Sequence, residues 1–212
     1  MLESLRPTIE SLKKQTDKIK DRNEVGMSLK INLPDNDSLV YPVSFSDSII
    51  LFSDDDSENS AIDIILNAAN ILSEAIKNEI PLKGAIAFGK MTIDKDKSLY
   101  FGQPLIDAYE LHKELEIYGV VLHHTTQKRL EELGMGHLLT SLFLGQYLVP
   151  MKSGKISHHF INWAFMSEKP LDSVNKLYNS VSGSPRKYID NTLEFLDWLE
   201  KEKAKREQQK KP

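Results

Sequence analysis

Apolar and polar positions recur with two different periods along this chain, and the switches between them mark out its elements. Leu5, Ile9, Leu12 and Ile19 repeat near helical spacing, with Pro7 tolerable only in a first turn, so the pattern predicts a helix over about residues 7 to 21. The polar run Pro34-Asp35-Asn36-Asp37 predicts a loop. Two β-rich runs follow, Leu39 to Phe45 and Ser48 to Phe52, separated by so little that they predict a tight hairpin with its tip at Ser46-Asp47. Asp54-Asp55-Asp56 and Ser57-Glu58-Asn59 break the second strand, and Ser60 with Asp63 gives a capping-box-like helix start. Ile62, Ile65, Leu66, Ala69, Leu72 and Ile76 are the expected buried stripe of that helix, which Pro81 stops.

Gly84 to Gly89 then reads as a short buried strand bounded by glycines, and Met91 to Leu99 as a polar excursion. Pro104 suits a first helical turn after Tyr100-Phe101-Gly102, and Leu105, Ala108, Leu111 and Leu115 continue the period to about Ile117. Gly119 to His123 predicts another strand, and a short helix through Leu130 and Leu133 is expected to end at Gly134. Gln146 to Val149 and Ile156 to Phe165 flank Ser153-Gly154, a good hairpin tip. Ser184 and Pro185 open a last helix through Tyr188, Phe195 and Leu199. The order of elements predicts an α+β fold, a mixed sheet layered with helices rather than strict βαβ alternation. No repeat or low-complexity linker interrupts it, so residues 1–212 are expected to form a single domain.

Composition narrows the chemistry. The 212 residues include no cysteine, which excludes disulfide scaffolds, thiolate metal sites and cysteine nucleophiles, and fits a cytoplasmic setting. No apolar run approaches the roughly 20 residues that span a bilayer, and no signal peptide is evident at Met1-Leu2-Glu3-Ser4, so no membrane partner is expected. A net charge of -4 argues against binding nucleic acid through its phosphates. The lysines between Lys201 and Lys211 alternate with Glu200, Glu202 and Glu207, as on a solvated helix end.

The remaining motifs exclude several chemistries. His123 and His124 are adjacent on a predicted strand, so their side chains are expected on opposite faces, unable to share one ion; His158 and His159 pose the same problem. No Gly-x-Ser-x-Gly elbow accompanies Ser46, Ser48 or Ser182-Gly183-Ser184. Gly84 and Gly89 lack the Gly-x-x-x-x-Gly-Lys of a phosphate loop, and close strand packing is their simpler cause. Trp163, Trp198 and Phe165 are expected to pack the C-terminal hairpin against the last helix.

Four segments remain: Ser44-Phe45-Ser46-Asp47-Ser48-Ile49-Ile50-Leu51, Leu82-Lys83-Gly84-Ala85-Ile86-Ala87-Phe88-Gly89, Tyr100-Phe101-Gly102-Gln103-Pro104-Leu105-Ile106-Asp107-Ala108-Tyr109-Glu110-Leu111, and Gly119-Val120-Val121-Leu122-His123. In order and spacing they resemble a class III nucleotide cyclase catalytic domain, and within that family the pyrimidine-type bacterial cyclases of anti-phage (Pycsar) defence. The likeness covers about residues 39 to 165, leaving a C-terminal helical extension over about 184–212.

The resemblance implies a ferredoxin-like core with a mainly antiparallel sheet, and a homodimer that turns a nucleoside triphosphate into a 3′,5′-cyclic monophosphate and pyrophosphate. It implies two Mg or Mn ions, hard cations that oxygen ligands suit. Asp47 falls at the family's metal-ligand position; as a bare turn residue it would only accept backbone hydrogen bonds. Phe45, Ser46, Ser48 and Gly102 are implied substrate contacts, and Lys83, Lys90 and Lys95 are cations that could approach a triphosphate.

The departures are specific. The family's other metal aspartate lies in an Asp-x-x-Gly-Phe-like segment ahead of the first helix, and none occurs here; the chain is expected to start downstream of that strand. Ile106 and Glu110 stand where purine cyclases carry Asn and Arg, and Val43 where they carry a base-reading lysine, so a usual purine cyclase is disfavoured. The alternative is an inactive cyclase-like module that binds a nucleotide or dimerises.

Overall fold

The computed structural model describes residues 40–45, 47–94 and 97–209. The helix predicted over 7 to 21, the Pro34–Asp37 loop, Ser46, Lys95, Asp96 and residues 210–212 lie outside the described residues. The chain is α+β, and it divides into two compact units, Met1–Ile71 and Leu72–Pro212.

In the first unit, β1 (Val40–Phe45) and β2 (Ser48–Ser53) form the predicted antiparallel hairpin, with Phe45 opposite Ser48 and Val43 opposite Ile50. The helix α1 (Glu58–Lys77) crosses the boundary between the units. Its start differs from the expected capping box, because Ser60 lies inside the first turn. The cap comes from earlier residues. The Asp55 carboxylate accepts hydrogen bonds from the Ser57 amide and hydroxyl (3.0 and 2.6 Å) and from the Ser60 hydroxyl, while the Ser57 hydroxyl oxygen accepts from the Ser60 amide at 3.2 Å. Of the predicted stripe, Ile65, Ala69, Leu72 and Ile76 are buried, and Ile62 and Leu66 are half-buried.

The second unit is built on a parallel pair. β3 (Gly84–Ile86) lies beside β6 (Val120–Leu122) in the register Gly84 to Val120 through Ile86 to Leu122. All three residues of β6 are buried, as expected of a parallel strand covered on both faces. The predicted strand from Gly84 to Gly89 stops at Ile86, because the chain turns away to start a hairpin. That hairpin, β4 (Met91–Asp94) with β5 (Leu99–Gly102), replaces the expected polar excursion. Its alternation is concealed because Leu99 and Phe101 are largely exposed and Thr92 and Asp94 are polar.

Helix α2 (Gln103–Glu114) follows, with Pro104 in its first turn and Lys113 in its last, where a cation complements the helix dipole. Helix α3 (His124–Glu132) ends as predicted at Gly134, whose φ of 74° favours glycine. The Gly134 amide donates to the Glu131 carbonyl (3.0 Å) and the Met135 amide to the Leu130 carbonyl (2.8 Å), closing the helix end.

A short helix α4 (Gly136–Leu139) leads to the hairpin of β7 (Gln146–Met151) and β8 (Gly154–His159). The strand expected to run to Phe165 ends at His159, and Trp163–Met166 forms a 3-10 turn. Single antiparallel bridges join Leu115 to Met151 and Val121 to Phe160, tying the hairpin to the parallel pair. The chain continues through α5 (Pro170–Lys176) and a 3-10 turn (Leu177–Asn179) to α6 (Arg186–Gln209).

Tyr147, Phe160, Phe195 and Trp198 pack the β7–β8 hairpin against α6, with ring centroids between 4.8 and 6.4 Å apart. Trp198 takes the expected role. Trp163 is fully buried but outside that cluster, and Phe165 is 73% exposed with one edge contact to Phe143, so neither belongs to the expected packing. Thr192 is buried and satisfied in both directions: its hydroxyl donates to the Tyr188 carbonyl (2.6 Å) and accepts from the Tyr118 amide (3.0 Å). Among the described residues no helix is long and apolar enough to cross a membrane.

Candidate functional site

The hairpin of the first unit carries Asp47 in its turn, exposed, next to Ser48, which is also exposed and opens β2. Phe45 closes β1 by pairing with Ser48, and Ser46 lies outside the described residues. Among the described residues, no group of three His, Cys, Asp or Glu side chains is placed to hold a metal ion. Asp47 stands in no such group.

In the second unit, three of the sequence motifs converge at the carboxyl ends of β3 and β6. The His123 amide donates to the Ile86 carbonyl (2.8 Å), and the Thr126 hydroxyl donates to the same oxygen (2.9 Å). The Phe88 amide donates to the Thr125 hydroxyl oxygen at 3.0 Å. These bonds tie the end of β3 to the first turn of α3. On the other side, Gly89 lies so close to α2 that a Cβ there would be 2.8 Å from Pro104 Cγ. Gly102, which caps α2, faces Lys90: an added Cβ would stand 2.6 Å from its carbonyl oxygen. Both glycines are therefore set by close approach, as expected for Gly89, and not by a phosphate loop.

The α2 start has no side-chain cap, and Pro104 in its first turn brings no amide hydrogen. The Gln103 side-chain amide donates to Asp107 at 2.7 Å. Ile106 is 55% exposed, and Glu110 is exposed and pairs with Lys113 at 3.3 Å. Lys83 sits at the opposite, amino end of β3. Its ammonium donates to the Leu115 carbonyl (2.7 Å) and lies 5.2 Å from the Tyr188 ring centroid. Burial, helped by the Lys152 charge, lowers its pKa, so it is held away from the convergence of motifs. Lys90 is exposed at that convergence, and Lys95 lies outside the described residues.

The histidines are arranged differently from expectation. His123 precedes α3 and His124 is its first residue, so they are not alternating strand positions; their rings are 4.0 Å apart. His123 Nδ1 is 2.9 Å from the Thr125 hydroxyl and 4.0 Å from a carboxylate oxygen of Asp107. The antiparallel bridge of Val121 to Phe160 places His158 across from His123 in register. Burial, first, and then the His124 charge lower the His123 pKa, against a smaller opposite pull from Asp107. His158 is lowered in the same way, by burial first, while a hydrogen bond with the Leu122 backbone opposes the shift. His159 points elsewhere, with Nδ1 at 2.8 Å from the Leu144 carbonyl, which is a packing role.

The grouping of His123, His124, His158, Asp107 and Thr125 escapes sequence reasoning because its members are spread over two helices and a strand. The one local signal is the Thr125-Thr126 pair after two histidines, since hydroxyl residues favour helix starts. Comparison with protein families, with curated proteins and with solved structures returns no match.

Proposed function

We propose that the chain is a class III-like nucleotidyl cyclase domain on a ferredoxin-like core, acting as a homodimer on a nucleoside triphosphate, with a pyrimidine base favoured. The observation that supports it is the convergence of Phe88-Gly89, Phe101-Gly102 and His123-His124 at the carboxyl ends of a parallel strand pair, the edge where open α/β sheets take up ligands. In the reaction the ribose 3′-hydroxyl attacks the α-phosphate, the bond from that phosphorus to the bridging oxygen breaks, and pyrophosphate leaves.

Asp47, with Ser46 and Ser48 beside it in the sequence, suits a Mg or Mn ion that arrives with a triphosphate. A resident pair of ions does not fit the described residues, which supply one carboxylate at that turn and no group of three ligands. Exposed Ile106 and the Glu110–Lys113 pair leave α2 without the Asn and Arg of purine cyclases, which supports the pyrimidine choice.

That same shortage of ligands favours a second reading, an inactive module that binds nucleotide without turnover. Incubating the chain with ATP, GTP, UTP or CTP and manganese, with mass detection of the cyclic monophosphate, separates the two. The cyclase reading expects a product from at least one triphosphate and a loss of at least 100-fold in Asp47→Ala. Binding without product in every case establishes the second reading and removes the first.

A further inference from the structure

The His123 neighbourhood has a property that the proposed cyclisation does not use. The Thr125 hydroxyl oxygen already accepts the Phe88 amide at 3.0 Å, and its one proton has His123 Nδ1 as an acceptor at 2.9 Å. The Thr125 hydroxyl has no other acceptor among the described residues, which directs its proton to that nitrogen. Nδ1 is then unprotonated, and neutral His123 carries its proton on Nε2. An imidazolium reverses this, because both ring nitrogens become donors. Thr125 loses the acceptor for its proton, and its oxygen goes on accepting from Phe88 without the polarisation that the bond to the imidazole gave it. The Asp107 carboxylate oxygen, 4.0 Å from the same nitrogen, becomes the better partner, since a charge-assisted hydrogen bond is about twice as strong as a neutral one. Asp107 is held in position on α2 by Gln103.

We propose that His123 is a proton-operated switch of hydrogen-bond partners: neutral, it completes the clamp that runs from Phe88 through Thr125, and protonated, it turns to Asp107 and breaks the last link of that clamp, weakening the bond that holds Phe88.

The surroundings set the operating range. From α2 the facing charge is Asp107, which favours the proton. From α3 it is His124, stacked at 4.0 Å, with Arg129 further along, stacked on Phe88 at 5.2 Å and paired with Glu132. From β8 it is His158, bonded to the Leu122 backbone, with His159 beyond it. From the β3 side, Ile86 to Phe88 bring no charge, and Lys90 is exposed.

Burial and the neighbouring imidazoles outweigh Asp107, so the neutral clamp is the resting state at neutral pH. The sign follows: with the folded pKa depressed below the usual value of about 6.5, the clamp is complete above that pH and is lost as pH falls through the depressed value. Because Gly89 packs directly on Pro104, a weaker hold on Phe88 also loosens the packing against the first turn of α2.

The test uses the full chain with ¹⁵N-labelled histidine. Long-range proton–nitrogen NMR at pH 7.5 should show His123 as the Nε2–H form, titrating below the usual value. The Phe88 amide, corrected for intrinsic chemistry, should exchange faster at pH 5 than at pH 7.5. Asp107→Asn should lower the His123 pKa further, and His124→Gln should raise it. Thr125→Val should speed Phe88 exchange at pH 7.5 and abolish its pH dependence, while Thr125→Ser should keep both. A neutral Nδ1–H form overturns the proposal, as does Phe88 protection that is flat across the titration or a His123 pKa indifferent to Asp107→Asn.

Discussion

Gly102→Ala tests the close approach at the Phe101-Gly102 turn. The new methyl carbon would stand 2.6 Å from the Lys90 carbonyl oxygen, 2.6 Å from Met91 Sδ and 3.1 Å from Met91 Cα. The sulfur can swing away, but the carbonyl and Cα belong to backbone at the entry of β4, whose first residue pairs with Gly102 itself. Relief therefore requires the β4–β5 hairpin to shift by several tenths of an ångström, and forced overpacking of this kind costs about 1–3 kcal/mol. For a chain of this length each kcal/mol moves Tm by about 2–4 °C, so a fall of about 2–12 °C is expected by circular dichroism. Gly119→Ala is the control. Nothing lies within 4 Å of its added Cβ, and a compatible Gly→Ala change stabilises by about 0.4–1 kcal/mol through the unfolded chain. Equal melting of Gly102→Ala and the parent would refute the reasoning, and so would a loss in Gly119→Ala as large as that in Gly102→Ala.

Phe195→Ala removes a ring at 4.8 Å from Phe160 and 5.1 Å from Tyr147, and should cost about 3–5 kcal/mol by urea unfolding; a cost under about 1 kcal/mol would deny the cluster its role between hairpin and α6. Asp55, held to a pKa of about 2 chiefly by the Ser57 and Ser60 hydroxyls, should add helix stability that is present above about pH 4 and fades as pH falls toward 2. Its exposure screens the effect, so the readout is α1 amide exchange in Asp55→Asn, which should show faster exchange than the parent at pH 6 and a smaller difference at pH 2.

The sequence discloses elements whose burial is one-sided and whose ends carry turn chemistry. The β1–β2 hairpin, the α1 stripe, the Gly134 stop and the start of α6 near Pro185 all fall where periodicity places them. It conceals the β4–β5 hairpin, because the outward Leu99 and Phe101 are apolar while their cross-strand partners Asp94 and Thr92 are polar, so period-2 alternation marks no inner face. It also misassigns Ile161 to Phe165: a run rich in apolar residues suits a strand as well as a 3-10 turn around a fully buried Trp163. The site was legible only in part. Motifs were visible one at a time, and the hydrogen bonds from Phe88 to Thr125 and from Thr126 to Ile86, which span 37 and 40 residues, have no local signature.

Those two bonds carry a consequence for how the second unit could act. The β3–β6 pair is only three residues long on each strand, so its ladder alone gives little rigidity at the carboxyl ends. Stiffness there comes from side chains: Thr126 grips the Ile86 carbonyl, Thr125 grips the Phe88 amide, and Pro104 abuts Gly89. A chain that handles a charged ligand at this edge thus depends on hydroxyls whose partners include a titrating imidazole, and a group bound near α2 and a proton bound at His123 must influence each other through the same turn. Linkage requires the influence to be mutual: if lowering pH through the His123 titration weakens triphosphate binding, adding the triphosphate must lower the His123 pKa by the corresponding factor. Measuring both in one NMR titration, with Thr125→Val as the uncoupled reference, checks the equality. Coupling that survives in that variant would place the connection outside the Phe88–Thr125 clamp.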